Sequence, residues 1–442
     1  MKNVVSILFL ILYGLPILAQ PGFLFKKDVN RVSIPFQLIN NLVFIPLQVN
    51  GVELTFLLDS GVEETVLFSL EDKQEVDLKN TETVSLRGLG SADAIEGLKS
   101  TGNILEIKEM QSRNHLIYVI LDQDFNLSSH IGIPVNGIIG YSFFKNHLLE
   151  INYQKKRIYF HKETVKKRNK IEKRYNKIPI TIEKAKPYVN SIVVMDNAAV
   201  PVKLLVDIGN SDSVWLFDNV IEKIKVPERN FDDYLGKGFS GDVLGKRAII
   251  PEFQIGDFKF ERPIAAFPDS ISLKHVTMVS GRLGSVGGEI FKRFSVIFDY
   301  KNSFLYLKKN GNYKNHFTYN KSGIEIRHSG MQWVKETVNL QMEPKAGGYN
   351  GLNNEALLNN FKYKFQLKPV YEISNLRKNS PAANSGLREG DIIISVNNKS
   401  AHSYSLQQIN NFLKSEDEKW IALEVERDSQ LFKYRFKLIN IL

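Results

Sequence analysis

Phe56-Leu57-Leu58-Asp59-Ser60-Gly61 runs an apolar segment straight into a carboxylate and a Ser-Gly turn, an arrangement for which a hydrophobic core has no use. The phrase returns as Leu204-Leu205-Val206-Asp207-Ile208-Gly209, 148 positions later (207 − 59). The echo extends to both sides. Ile45-Pro46-Leu47-Gln48-Val49-Asn50-Gly51 leads into the first Asp as Val194-Met195-Asp196-Asn197-Ala198-Ala199-Val200-Pro201 leads into the second. Gly137-Ile138-Ile139-Gly140-Tyr141-Ser142-Phe143-Phe144-Lys145-Asn146 is answered by Gly284-Ser285-Val286-Gly287-Gly288-Glu289-Ile290-Phe291-Lys292-Arg293. After each comes a strand pair, Leu149 to Tyr153 with Arg157 to Phe160, and Val296 to Tyr300 with Phe304 to Leu307. Because the offset stays at 147 or 148 throughout, the chain holds two tandem copies of one lobe. Short β-branched and aromatic runs separated by Gly, Asn and Asp fill both copies, so each lobe is expected to be mostly β.

Over roughly residues 30 to 310 these motifs resemble the two-lobed, pepsin- and retropepsin-like aspartic peptidases, exported bacterial forms included. In that family each lobe gives one Asp from an Asp-Thr/Ser-Gly turn and carries a later apolar-apolar-Gly segment, here Ile138-Ile139-Gly140 and Ser285-Val286-Gly287. The resemblance implies a mainly β, double-barrel-like fold with Asp59 and Asp207 as catalytic residues and Ser60, Gly61 and Gly209 as the supporting turns. It implies a polypeptide substrate, and neither a cofactor nor a metal. Two carboxylates a few ångströms apart share one proton, so one can activate a water while the other donates to the scissile carbonyl. The turn glycines let backbone N–H groups approach those carboxylates. By the same resemblance Gly88, Leu89 and Gly90, within Arg87 to Asp93, are the flap candidate, with Gly236 to Asp242 as its counterpart; the family's aromatic flap residue is missing. Three positions depart from the pattern: Ser285, Val62, and above all Ile208, where a hydroxyl normally ties the lobes together. Ser211 and Ser213 are the nearby hydroxyls available to compensate. Three readings stay open: an exported aspartic endopeptidase, a catalytically inactive, protease-like adaptor of the cell envelope, and a PDZ-guided partner of an envelope complex whose basic linker docks on an anionic surface.

Beyond residue 320 the texture changes. Ser380-Pro381-Ala382-Ala383, Ser385-Gly386-Leu387, Gly390-Asp391-Ile392-Ile393 and Val396-Asn397 follow in an order that resembles a PDZ domain of the bacterial protease-associated type. Leu406, Ile409, Phe412 and Leu413 lie at helical spacing and give the helix beside a peptide groove. Gly323, Ile324 and Ile326 are the candidate carboxylate-binding loop and groove strand, facing Leu406 and Ile409. A polar insertion from about Arg327 to Phe365 precedes the strand Val370 to Leu376. The implied ligand is an extended or C-terminal segment of a protein, or a segment of the same chain.

At 442 residues, two to three domains are expected: lobe 1 over 20–160, a basic linker over 161–177, lobe 2 over 178–310 and the PDZ domain over 318–442. Met1 to Ala19 has Lys2, an apolar run from Val4 to Leu18 and a small residue at its end, which reads as a signal peptide cleaved after Ala19. Export to a periplasmic or extracellular space follows, with no integral membrane segment once the signal is removed. Much of the net charge of +10 is crowded between Lys162 and Lys177. A solvated linker explains it, and without a recognition motif no nucleic acid partner is expected. There is no cysteine, which removes disulfides and thiolate chemistry. The 8 histidines show no metal-ligand spacing, and Gly140-Tyr141-Ser142 lacks the nucleophile-elbow pattern. Trp215 is read as core.

Overall fold

The computed structural model describes residues 22–68, 75–86, 95–121, 126–218, 220–238, 241–274, 276, 278–339 and 361–442. The signal peptide read over Met1–Ala19 and the flap candidate Gly88-Leu89-Gly90 lie outside the described residues.

The chain is mainly β. In lobe 1 the strand Val52–Leu58 is paired antiparallel with Leu42–Val49 and parallel with Gly137–Ile139, so its apolar residues are buried on both sides and Asp59 emerges at its C-terminal end. Gly137–Ile139 pairs in turn with Thr65–Leu67, the first strand after the Asp turn. Lobe 2 repeats this figure. Ala198–Val206 pairs parallel with Arg282–Val286, which pairs antiparallel with Val214–Leu216. A strand threaded between the two arms of the Asp loop leaves the turn little freedom, which is why the echoed sequences produce echoed geometry.

The lobes are joined by a shared sheet. Its strands run Asn176–Glu183, Phe304–Lys309, Phe294–Asp299, Leu148–Asn152, Arg157–His161 and Arg31–Pro35. At its centre Leu148–Asn152 pairs antiparallel with its own repeat, Phe294–Asp299, and the facing pair Glu150 and Ile297 is one repeat apart (297 − 150 = 147). Phe143, Phe144, Phe160 and Phe298 pack beneath it, with ring centroids 4.9 Å apart for Phe143–Phe160 and 5.0 Å for Phe144–Phe298. Each such buried aromatic contributes about 1.5–3 kcal/mol. One apolar core therefore runs through both lobes.

The basic stretch between the lobes is a helix more than an open linker. Val165–Glu172 is capped by Thr164 and buries Ile171 against Leu148, Ile297 and Tyr306. Arg168 reaches Asp299 at 3.0 Å and pairs with Glu163, and Lys177 meets Glu172 at 2.9 Å. Part of the positive charge thus holds the helix onto the joint sheet.

The C-terminal unit has its own core, built by a sheet in the order Ile324–Asn339, Phe361–Leu376, Ile392–Val396, Trp420–Arg427 and Gln430–Lys437, with the helix Leu406–Leu413 packed on it. That helix starts with a capping box between Ser405 and Gln408. The polar insertion is a lengthening of the first hairpin: Ile324 faces Leu376 and Asn339 still faces Phe361. No helix among the described residues is long and apolar enough to cross a membrane.

Candidate active site

Both Asp turns are held by the same bonds. The Asp59 N–H donates to the Ile139 carbonyl at 3.0 Å and the Asp207 N–H to the Val286 carbonyl at 2.9 Å. Asp59 Oδ1 accepts from the Gly61 N–H at 2.6 Å, and Asp207 Oδ1 from the Gly209 N–H at 3.1 Å. Each glycine also clears space for the opposite lobe's carboxylate. A Cβ at Gly61 would stand 3.0 Å from Asp207 Cγ, and one at Gly209 only 2.2 Å from Asp59 Cγ. The turns interlock, and the two carboxyl groups lie within hydrogen-bonding reach of each other.

The residue after each Asp breaks the symmetry. Ser60 is fully buried; its hydroxyl donates to the Val206 carbonyl at 2.6 Å and accepts from the Ile208 N–H at 3.1 Å, tying lobe 1 to lobe 2. Ile208 is fully buried as well, but inside the apolar core. Neither expected substitute completes the grip: the Ser213 hydroxyl is bonded to Ile264 of its own lobe, and Ser211 contributes its carbonyl, not its hydroxyl. A different cross-link stands nearby. Asn41 of lobe 1 donates to Ser211 O and to Glu289 Oε2, both at 2.8 Å, and accepts from Lys292 Nζ at 3.0 Å. Gly288 makes this docking possible, because a Cβ there would meet Asn41 O at 2.4 Å.

Electrostatically the carboxyls form an unequal pair. Burial, and then the neighbouring charge of Asp207, pushes Asp59 well above the usual carboxylate range. Burial also raises Asp207, against the pull of the Arg282 guanidinium and, more weakly, Lys186. The pair therefore holds one proton between its two carboxyls, and the Arg282 guanidinium favours negative charge on the Asp207 side. Tyr300 lies beneath them, its ring stacked on Phe144 at 5.3 Å, with its phenol held protonated by burial.

The carboxyls open into a cavity of about 1520 Å³, well beyond the roughly 300–1,000 Å³ of small-molecule pockets and suited to an extended chain. Its walls come from both lobes and from the C-terminal unit, which contributes Glu325, Ile326, Gln407, Asn410, Asn411 and Lys414. Trp215 is buried as expected, yet lines this cavity and donates its indole N–H to Asp212 at 2.7 Å. Lobe 1 presses directly on the PDZ helix: the Asn40 N–H donates to Gln407 Oε1 at 2.7 Å, and a Cβ at Gly132 would come within 2.8 Å of Leu406 Cβ. Glu325 is enclosed at this junction, and burial, then Asp233, pushes its carboxyl up to about 7.

The groove candidates Ile324, Ile326, Leu406 and Ile409 all lie in the PDZ core. Gly323 takes a left-handed φ of 82° against Ser380. In its loop the N–H groups of Ser322 and Gly323 donate to Asn320 Oδ1 and that of Ile324 to Ser322 Oγ. Three backbone donors of a carboxylate cradle are thus engaged within the chain, which favours strand addition over capture of a free C-terminus. Lys186, Arg282 and Tyr300 were not singled out in the sequence, since none belongs to an echoed motif of known chemistry. Counting the hairpin back from Asp207 would have found Lys186.

Two segments of the chain match family models. Residues 45–143 match the family model described as aspartyl protease, and residues 372–427 match that of the PDZ domain. The chain matches no curated protein. Among solved structures it is similar to the aspartic proteinase from Irpex lacteus, at 13% identity and a TM-score of 0.40, over 64% of this chain and 99% of that one. The chain thus carries a segment similar to an aspartyl protease in lobe 1 and one similar to a PDZ domain in the C-terminal unit.

Proposed function

We propose that the protein is an exported aspartic endopeptidase that hydrolyses polypeptides with a water activated between Asp59 and Asp207. The observation that carries this reading is the interlocked pair of turns, in which each lobe's glycine makes room for the other lobe's carboxyl. Asp207, the more ionised member, takes a proton from the water; Asp59 gives its proton to the scissile carbonyl oxygen as the tetrahedral intermediate forms. Proton transfer back to the leaving amine then completes the cleavage. The PDZ edge strand adds to an extended segment of the substrate and leads it toward the dyad, since both face one cavity. Export uses the N-terminal segment, so the first residue of the mature protein is Gln20.

The test is digestion of an unstructured protein by the mature chain from acidic to neutral pH, beside Asp59→Asn and Asp207→Asn variants of equal thermal stability. Cleavage lost in both variants supports the endopeptidase. An inert parent that still binds the peptides would leave an adaptor.

A further inference from the structure

The cavity is lined by cations that differ in one respect. Lys99 is paired with Glu82 at 2.7 Å, Lys237 with Asp242 at 3.4 Å, Lys292 with Glu289 at 2.6 Å, and Arg247 with Asp212 and Asp233 at 2.7 and 2.6 Å. Lys186 and Arg282, the two nearest the dyad, form no ion pair with any described residue, and neither does Lys414, contributed by the C-terminal unit. The fold explains why. Lys186 opens its strand after a tight turn in which Lys184 and Ala185 both take left-handed φ, and the one carboxylate on that hairpin, Glu183, is held by Lys203 at 2.7 Å. The ladder that sets Tyr188 opposite Leu205, continued two residues, brings Lys186 opposite Asp207. Arg282 sits at the start of the neighbouring strand, its Nε donating to the Gly284 carbonyl at 3.0 Å and its guanidinium 5.3 Å from the Phe217 ring centroid. No described group accepts from the remaining amino groups of its fork.

Two like charges side by side in a partly dry wall repel each other, and both groups have their pKa lowered, by burial first and, for Lys186, next by Arg282. The dyad holds one negative charge when it shares a proton, which leaves the two cations with an excess of one. Glu63 faces Lys186 only from a more exposed position across the cleft, and Tyr188 faces Arg282 as a neutral phenol. A counter-charge must come from what enters the cleft. A planar carboxylate matches an Arg fork, and the ammonium beside it adds a point charge.

We propose that Lys186 and Arg282 form a carboxylate subsite beside the scissile bond, so that the enzyme selects chains carrying either an acidic side chain or their own terminal carboxylate next to the cleaved position. The subsite rests on the peptidase reading for its consequence in cleavage, but not for its consequence in binding.

The experiment uses matched peptides with Glu or its neutral isostere Gln flanking one cleavable bond, each with a free or an amidated C-terminus. For the mature chain kcat/KM is read for all four, and affinity for the same peptides is read calorimetrically on Asp59→Asn. The expected Glu-over-Gln ratio is about 10- to 100-fold, and Lys186→Met or Arg282→Met each lowers it about tenfold, with partial return in Arg282→Lys. A preference that follows the free terminus and disappears on amidation assigns the subsite to the chain end; one that follows Glu assigns it to a side chain. Equal cleavage of all four peptides overturns the subsite while leaving the peptidase intact. Charge-dependent binding without cleavage supports the subsite and removes the peptidase. Neither cleavage nor charge-dependent binding removes both. Should a variant fail to fold, the peptide series on the parent chain decides alone.

Discussion

The turn Asp59-Ser60-Gly61 and the turn Asp207-Ile208-Gly209 do one job by two kinds of physics. The first reaches across the lobe boundary with a hydroxyl that satisfies a donor and an acceptor of the other lobe. The second is anchored from below, by an isoleucine sunk into the shared core. What they keep in common is the pair of glycines and the backbone bonds that fix each Asp. A symmetric site therefore does not need symmetric support; it needs each carboxyl over-determined by some route.

The harshest test of the shared part is removal of either acid. Asp59→Asn and Asp207→Asn are each expected to lower kcat/KM for a peptide by about 10³-fold, the scale of a lost general acid or base. If only one variant loses activity, the turns are not partners. Next come the glycines, where the comparison predicts a graded result. A methyl at 209 would press on Asp59 far more closely than one at 61 presses on Asp207, so Gly209→Ala should cost about 10²-fold in kcat and Gly61→Ala less. Equal losses would show that the tighter approach at Gly209 does not matter.

The third test separates the two anchors. Ser60→Ala leaves the Ile208 N–H and the Val206 carbonyl buried without a partner, and a loss of about 1–3 kcal/mol in denaturant unfolding is expected. The two carboxyls also report on stability. A buried acid whose pKa is raised binds protons more tightly folded than unfolded, so its contribution falls as pH rises from the ordinary value of 3.8 toward the folded value. Asn in that place escapes the loss. Asp59→Asn and Asp207→Asn should therefore each melt higher than the parent at neutral pH, with both gains fading below pH 3.8 in calorimetric scans. The smallest effect is expected from Ile208→Thr, which trades apolar burial for a hydroxyl at the position that mirrors Ser60, with a net change in unfolding free energy within about 1 kcal/mol. A larger loss would mean that the apolar anchor is indispensable.

Much of this was legible in the chain because a repeat is a long signal. The echo of Gly137 to Asn146 in Gly284 to Arg293 foretells two matching lobes, and it reads through even where Ser285 and Ile208 depart from the pattern. Turn chemistry made the PDZ unit readable in the same way, through Ser380-Pro381 and Gly386 to Gly390. What stayed hidden was whatever depends on contacts between distant segments. Asn41 carries no motif, and its bridge to Glu289 and Lys292 appears only when the lobes meet. Lys162 to Lys177 looked like solvated charge, since a cap by Thr164 and one buried Ile171 are faint beside eight cations. The insertion after Arg327 looked like an interruption because pairing partners 22 to 45 residues apart (361 − 339, 372 − 327) leave no local pattern.

At the heart of the shared sheet a strand lies against its own repeat, with Glu150 facing Ile297. The two strands meet about equivalent residues of the repeat, as two copies of one lobe on separate chains would. In that arrangement every change in one Asp turn would be imposed on both, and an isoleucine would displace the serine on each side at once. Joining the halves in one chain releases them from that obligation. Lobe 2 can therefore carry a hydrocarbon where lobe 1 carries the hydroxyl grip, each half with its own support.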